Sequence, residues 1–479
     1  MGWIIVVHCL VFIIFWLTNL GFHSAVNEFL SDTTGLHLPF VIVFLILSSI
    51  VGILSAIFLV LKKYGHSKSI DRIALSVGVI YILFFYGSFI LLFLKNPVQT
   101  NRLGQFVQYF RLIVDTVGLL AISLGIRNWI VKQLKPWKKW IAVCIPITLG
   151  VIPFFWKPGA VLRGPLPEKP LLIAHRGASL LAPENTIAAM NKAVSLGVYG
   201  VETDILISRD GIPFLMHDAT LTRTTNVADI FPNMIFEPAD NFTWEELARL
   251  NAGQWFVDQD PFRTIATGAV SEQDVELCRK ERIPTFTQLL EVVRSNKLWL
   301  IYDLRKSDGV RDYSGTTLDL ILEEILASGV EAKTWFLAAN EEIQRIQNNF
   351  PQAILAAGID YREAPSPKAL VSEGYELVNS EYGLSDTMIH TYQQSGLWVN
   401  IWTVDELWQY SRLWLLGVDS VTTDNIPGVQ ALQKPVIVMN NKDYIGVWGS
   451  IWIFSMIFAY SGNILKKKVL NSDATITPD

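Results

Sequence analysis

Two hydrophobic patterns divide this chain. Long, nearly uncharged apolar runs occupy about residues 3–20, 39–61, 73–94, 112–131, 140–156 and 444–465. Roughly 20 residues of helix cross a bilayer core, so six membrane spans are expected. Asp115 and Arg127 interrupt the fourth run, and Pro146 and Pro153 the short fifth. Between 171 and 430 the pattern changes to short β-rich runs alternating with amphipathic stretches. Strands are predicted at 171–175, 200–207, 213–217, 298–304, 334–338, 353–358, 375–379, 398–404 and 419–423, with helices at 185–197, 285–296, 316–329 and 406–417.

Repeated β–α alternation over this length predicts an eight-stranded parallel α/β barrel of the TIM type, with one of the nine strands peripheral. Residues 219–282 break the rhythm and read as a long, loop-like insertion bordering the active site. The expected fold class is therefore a multi-pass α-helical membrane protein carrying a TIM-barrel domain. Five transmembrane helices fall in 1–156, a Pro- and Gly-rich linker in 157–170 and the barrel in 171–432. The sixth helix is 444–465 and the tail 466–479.

Charge sets the expected orientation. Basic clusters at Lys62, Lys63, Lys68 and Arg72, at Lys132, Lys135, Lys138 and Lys139, and at Lys466–Lys468 all fall on one side of six spans. That side is expected to be cytoplasmic, which places the barrel outside, extracellular or lumenal, in the plasma membrane or another membrane of the secretory pathway. The sequon Asn241-Phe242-Thr243, inside the insertion, agrees with that side and marks Asn241 as a glycosylation candidate. With 51% hydrophobic and 17% charged residues the composition fits a membrane-plus-globular mixture. A net charge of −5 without a long basic run excludes nucleic acid as a partner. Three cysteines in no CxxC or Cys/His cluster exclude a disulfide scaffold and a structural zinc site. No feature sets an oligomeric state.

The candidate chemistry gathers at predicted strand ends: His175, Glu202, Asp204, His217 and Asp303. Catalytic groups of a barrel converge on that rim. Glu202 and Asp204 are two residues apart, so on a strand they share a face and repel unless a cation lies between them. A hard divalent ion with oxygen ligands, Ca2+ or Mg2+, answers that repulsion, with Asp303 as a third carboxylate. Glu184 and Asn185 open a helix after Pro183, which helix capping explains in part.

The segments HRG (175–177), ENT (184–186), ETD (202–204), HD (217–218), DLR (303–305), WTVD (402–405) and VTTDN (421–425) resemble, in order, those of the glycerophosphodiester phosphodiesterases. The resemblance covers about half the chain. With six spans and an outward domain it extends to the vertebrate six-transmembrane branch, whose members act as cell-surface glycerophosphodiesterases or GPI-anchor-cleaving enzymes. It implies a metal site at Glu202, Asp204 and Asp303, an acid/base pair at His175 and His217, and a phosphate contact at Arg176. Arg305 and Trp402 then read as substrate-binding groups, and Glu184 and Asn185 as braces near His175. The family usually has Glu-x-Lys where this chain has Asp303-Leu304-Arg305, and Asn where it has Asp405.

The reaction implied is hydrolysis of glycerophosphodiesters such as glycerophosphocholine or glycerophosphoinositol, or of a GPI anchor. One imidazole takes a proton from an attacking glycerol hydroxyl while the other protonates the departing oxygen. The competing reading is a catalytically inactive barrel serving as a surface binding or signalling module. Retention of both histidines and all three acids favours the enzyme.

Overall fold

The structure is a computed structural model that describes residues 39–62, 161–305, 316–436 and 440–446, together with isolated positions elsewhere. The chain divides into two compact units, one formed by Pro167–Leu384 and Met388–Val436, the other by the remaining residues.

In the second unit the apolar run at 39–61 forms a helix, Phe40–Lys62. Among the described residues no helix is long and apolar enough to cross a membrane. The expected multi-pass membrane class is corrected accordingly, and the fold the structure defines is the barrel. The other five runs lie wholly or mostly outside the described residues, as do most of the basic residues used for orientation.

The first unit is a closed barrel. Its strands are β1 (Leu171–Ala174), β2 (Gly200–Ile207), β3 (Pro213–Leu215), β4 (Trp299–Leu304), β5 (Thr334–Leu337), β6 (Ile354–Ile359), β7 (Leu377–Glu381), β8 (Trp398–Trp402) and β9 (Ser420–Thr423). Parallel pairing runs β1-β9-β8-β7-β6-β5-β4-β2, and a β1–β2 pairing closes the ring. β3 is the peripheral strand, hydrogen-bonded antiparallel to β2.

Both faces of the ring are covered. Val201 and Ile205 of β2, Leu300 and Tyr302 of β4 and Phe336 of β5 pack in the large outer core with helix residues such as Met190, Phe286, Leu290 and Ile321. Ile173, Ile301, Trp335, Ala356 and Leu377 form a separate cluster. Because Glu202 pairs with Ile301 and Asp204 with Asp303, the three acids share the strand face of Ile301. The capping expected of Glu184 and Asn185 falls instead to Thr186. Thr186 caps Ile187–Ser195 through Ala189 N–H, and Thr285 with Gln288 forms a capping box on Phe286–Asn296. Gly329 and Gly417 end two others in the left-handed conformation.

Residues 219–282 are less loop-like than their sequence suggests. They hold short helices, including Trp244–Leu247, Gln254–Gln259 and Glu272–Cys278. Leu221, Val227, Phe242, Leu247 and Leu250 share a buried cluster with Phe214 and Met216 at the end of the β2–β3 hairpin. Four-residue helices carry too little periodicity to read from sequence.

Phe336 is fully buried, with the rings of Tyr302 and Phe350 centred 6.1 and 5.3 Å away. Phe336→Ala is expected to destabilise the barrel by about 3–5 kcal/mol, read as a lower midpoint in urea unfolding. An unchanged midpoint would contradict the packing described.

Candidate active site

The chain leaves β1 through a strained turn. His175 donates its backbone N–H to Thr423 O of the neighbouring strand (3.1 Å). Arg176 then takes φ 53° and Gly177 φ 81°. A Cβ on Gly177 would sit 2.7 Å from the Ala189 backbone, so only glycine lets this turn approach the following helix. Asn185 also has a positive φ, 55°, and its N–H donates to Arg176 O (3.0 Å). Left-handed backbone at two non-glycine residues is held by what their side chains grip.

That grip is on the acids of β2. Arg176 N–H donates to Glu202 Oε2 (3.0 Å), and Arg176 Nε lies 3.1 Å from Asp204 Oδ2, paired by charge though not aligned for a hydrogen bond. Asn185 Nδ2 donates to the same Asp204 oxygen (2.9 Å), and its own oxygen accepts from Thr203 Oγ1 (2.8 Å). Asp204 is 2% exposed. Burial, then the neighbouring Asp204 charge, push the Glu202 carboxyl far above its usual range.

His175 Nδ1 lies 2.7 Å from Asp424 Oδ1, which also accepts from Ser179 Oγ (2.6 Å). A carboxylate only accepts, so Nδ1 carries the proton and Nε2 is left for chemistry, 3.9 Å from Glu202 Oε2. Burial opposes protonation of this ring, but the Asp424 hydrogen bond and the Glu202 and Asp424 charges outweigh it and raise His175 to about 9.

His217 arrives differently from the expectation of a barrel-strand end. It follows the antiparallel strand β3, whose return brings Met216 N–H to Asp204 O (3.1 Å). Its Nδ1 lies 2.7 Å from Asp218 Oδ1, again leaving Nε2 free. Arg223 grips Asp218 through Nε (2.6 Å) and Nη2 (2.9 Å), and Glu184 through Nη1 (2.7 Å) and Nη2 (2.8 Å). Glu184 also accepts from Arg176 Nη1 (3.0 Å). Burial would raise the Glu184 carboxyl, but the two arginines lower it.

The remaining predicted residues are placed less centrally. Asp303, in register with Asp204, is 42% exposed and accepts from Arg305 Nη1 (2.8 Å), while Arg305 Nε stands 4.0 Å from Asp204 Oδ1. Trp402 ends β8, and its buried indole N–H has no hydrogen-bond partner. Asn241 lies in a short turn of the insertion and donates to Glu237 Oε2 (3.0 Å). Sequence reasoning assigned no role to Asp218, Asp424, Ser179 or Arg223. Asp218 and Asp424 sit inside the HD and VTTDN segments, and for Asp218 alone the adjacent His217 was the available signal.

A divalent cation fits this arrangement in part. Glu202 and Asp204 offer buried oxygens with surplus negative charge, the chemistry a hard ion neutralises. Among the described residues, however, no three His, Cys, Asp or Glu side chains are grouped to hold an ion together, and Asp303 is engaged by Arg305. A cleft of about 480 Å³ opens among Tyr199, Trp299, Trp335 and Trp398, at the N-terminal ends of the strands. The polar convergence lies at the other end, where barrel chemistry is found.

A TIM barrel with two carboxylate-backed histidines around a buried acidic pair defines the class. The family model for the glycerophosphoryl diester phosphodiesterase family matches residues 175–427, and the chain belongs to that family. It is 33% identical over 314 residues to glycerophosphodiester phosphodiesterase domain-containing protein 5 of Gallus gallus, covering 65% of this chain and 50% of that protein. It is 33% identical over 334 residues to the glycerophosphoinositol inositolphosphodiesterase GDPD2 of Mus musculus, covering 68% and 60% respectively. The chain thus spans roughly half to three fifths of these relatives' length. Among solved structures it is similar to a putative glycerophosphoryl diester phosphodiesterase from Silicibacter pomeroyi DSS-3, at TM-score 0.46 and 19% identity over 61% of this chain and 96% of that one.

Behind the His175–Asp424 pair stands Asp405, whose Oδ1 accepts from Asp424 N–H (2.8 Å) and Thr423 Oγ1 (3.2 Å). Burial, then the Asp424 charge, push its carboxyl up to about 6. A raised acid stabilises the fold below its ordinary pKa, and that contribution is lost as pH rises through about 6. An asparagine oxygen accepts the same two bonds without the charge. Asp405→Asn is therefore expected to be more stable than the parent at pH 7.5, by about 1–3 kcal/mol, with the difference vanishing near pH 4. Thermal unfolding at both pH values checks this, and a variant less stable at pH 7.5 contradicts it.

Proposed function

We propose that this protein hydrolyses glycerophosphodiesters, with His175 and His217 as its acid/base pair. The observation that carries the reading is that each imidazole is oriented by its own carboxylate, Asp424 and Asp218, which leaves both Nε2 atoms free, that of His175 3.9 Å from Glu202 Oε2. A merely structural histidine does not require a carboxylate partner at a barrel rim, and two such pairs argue against an inactive binding module.

In this reading Arg176 meets the anionic phosphodiester and offsets charge that builds on its oxygens. One Nε2 accepts the proton of a glycerol hydroxyl as it attacks phosphorus, and the other donates a proton to the departing alcohol oxygen. Water then opens the cyclic phosphate with the roles reversed. A divalent cation, Ca2+ or Mg2+, held at Glu202 and Asp204 with Asp303 beside them, would neutralise charge on the phosphate. Trp402 and Arg305 are proposed to contact the head group. Glycerophosphoinositol, glycerophosphocholine and GPI anchors are the candidate substrates, the first supported by the name of the mouse relative.

Purified protein should release a phosphomonoester from glycerophosphoinositol or glycerophosphocholine, and lose that activity on exhaustive chelation. His175→Ala or His217→Ala should lower turnover by about 100-fold or more with an unchanged melting point. Near-normal turnover in either variant removes that histidine from the chemistry, and full activity after chelation removes the cation.

We further propose an extracellular or lumenal location for the barrel, supported by the sequon in a surface turn whose asparagine is only part-buried. On expression in a secretory cell line, glycosidase treatment should shift the wild-type band and leave Asn241→Gln unshifted. A wild-type band that does not shift counts against that location.

A further inference from the structure

We propose that Arg223, which belongs to the insertion and not to the barrel, is a positioning residue that sets both His217 and Arg176. The proposal rests on the hydrolytic reading above, in which those two groups meet the phosphodiester.

The guanidinium of Arg223 is the only group that touches both Asp218 and Glu184 in the contacts described for these acids. It does so with four hydrogen bonds of 2.6 to 2.9 Å, two to each carboxylate. Each carboxylate passes the restraint on. Asp218 Oδ1 holds His217 Nδ1 at 2.7 Å, and Glu184 Oε1 holds Arg176 Nη1 at 3.0 Å. One rigid, planar cation therefore fixes the angle between the two carboxylates, and through them the bearing of an acid/base imidazole relative to the phosphate-binding arginine.

Its own place is set by the insertion. The guanidinium carbon lies 5.9 Å from the centre of the Trp255 ring, and Trp255 Nε1 donates to Ala252 O (3.0 Å) at the start of the helix Gln254–Gln259. The Arg223 side chain is 42% exposed. Glu184 and Asp218 are less exposed, 12% and 26%, so the fork holds two shielded carboxylates in one geometry.

The test uses the full chain, with kcat and KM measured on glycerophosphoinositol for the parent, Arg223→Ala, Arg223→Lys and His217→Ala. Lysine keeps the charge but cannot fork onto two carboxylates. Both Arg223 variants are expected to lose about 10- to 100-fold in kcat, with KM nearly constant and the melting point little changed. Added guanidinium chloride should restore part of the turnover of Arg223→Ala, whereas sodium chloride at equal concentration should not. A parental kcat in either variant, a defect confined to KM, or full recovery with lysine overturns the proposal. If alanine prevents folding, the lysine variant decides by the same criteria. A parent that turns nothing over, or a fully active His217→Ala, defeats the hydrolytic reading itself. An inactive His217→Ala beside a fully active Arg223→Ala defeats only the positioning role.

Discussion

Two carboxylates forced together on one buried strand face are the constraint around which this site is arranged. Glu202 and Asp204 are separated by one residue of β2, and Asp204 is almost fully shielded from water. Like charges so placed must be offset or protonated. The chain offsets them in part by bending its backbone. Arg176 gives its N–H to Glu202 and its guanidinium to Asp204, and Asn185 gives its amide to Asp204. Both donors hold left-handed backbone to do so. What these donors leave unmet shows in the Glu202 carboxyl, which burial and then the Asp204 charge push far above its usual range, and a divalent cation would offset it.

Around that pair, charge alternates outward. Arg176 leads to Glu184, Glu184 to Arg223, Arg223 to Asp218, and Asp218 to His217. On the other side His175 leads to Asp424, whose backbone N–H is accepted by Asp405. Each link settles a rotamer or a tautomer of the next. The barrel supplies the strands, but one of the two imidazoles and the arginine that braces it come from the antiparallel hairpin and the insertion beyond it. The division explains how a common barrel acquires a particular site: the ring places the acids, and the irregular segments place the groups that act with them.

Much of the barrel was legible in the sequence because its strands are buried on both faces and read as short continuous runs, GVETDILI being the plainest. The acids stood out because charge inside such a run is costly. The peripheral strand was expected, though not which one it was, since nothing within PFL sets it apart from the other short runs. The helices of the insertion were illegible, being a turn or two long. Asp424 and Arg223 were missed for a different reason. Asp424 is 249 residues from His175, a hydrogen bond closed by the whole ring that no local pattern records, and Arg223 joins Asp218, five residues away, to Glu184, 39 residues away. The apolar run at 39–61 was read as a membrane span, whereas among the described residues no helix is long and apolar enough to cross a membrane.

Calorimetric titration of the purified protein with Ca2+ or Mg2+ measures the unmet charge of the acidic pair most directly. One divalent ion should bind per chain, and Glu202→Gln, which keeps the size and removes the charge, should weaken that binding by about 10-fold or more. Equal binding by parent and variant, or no binding by the parent, would contradict the account.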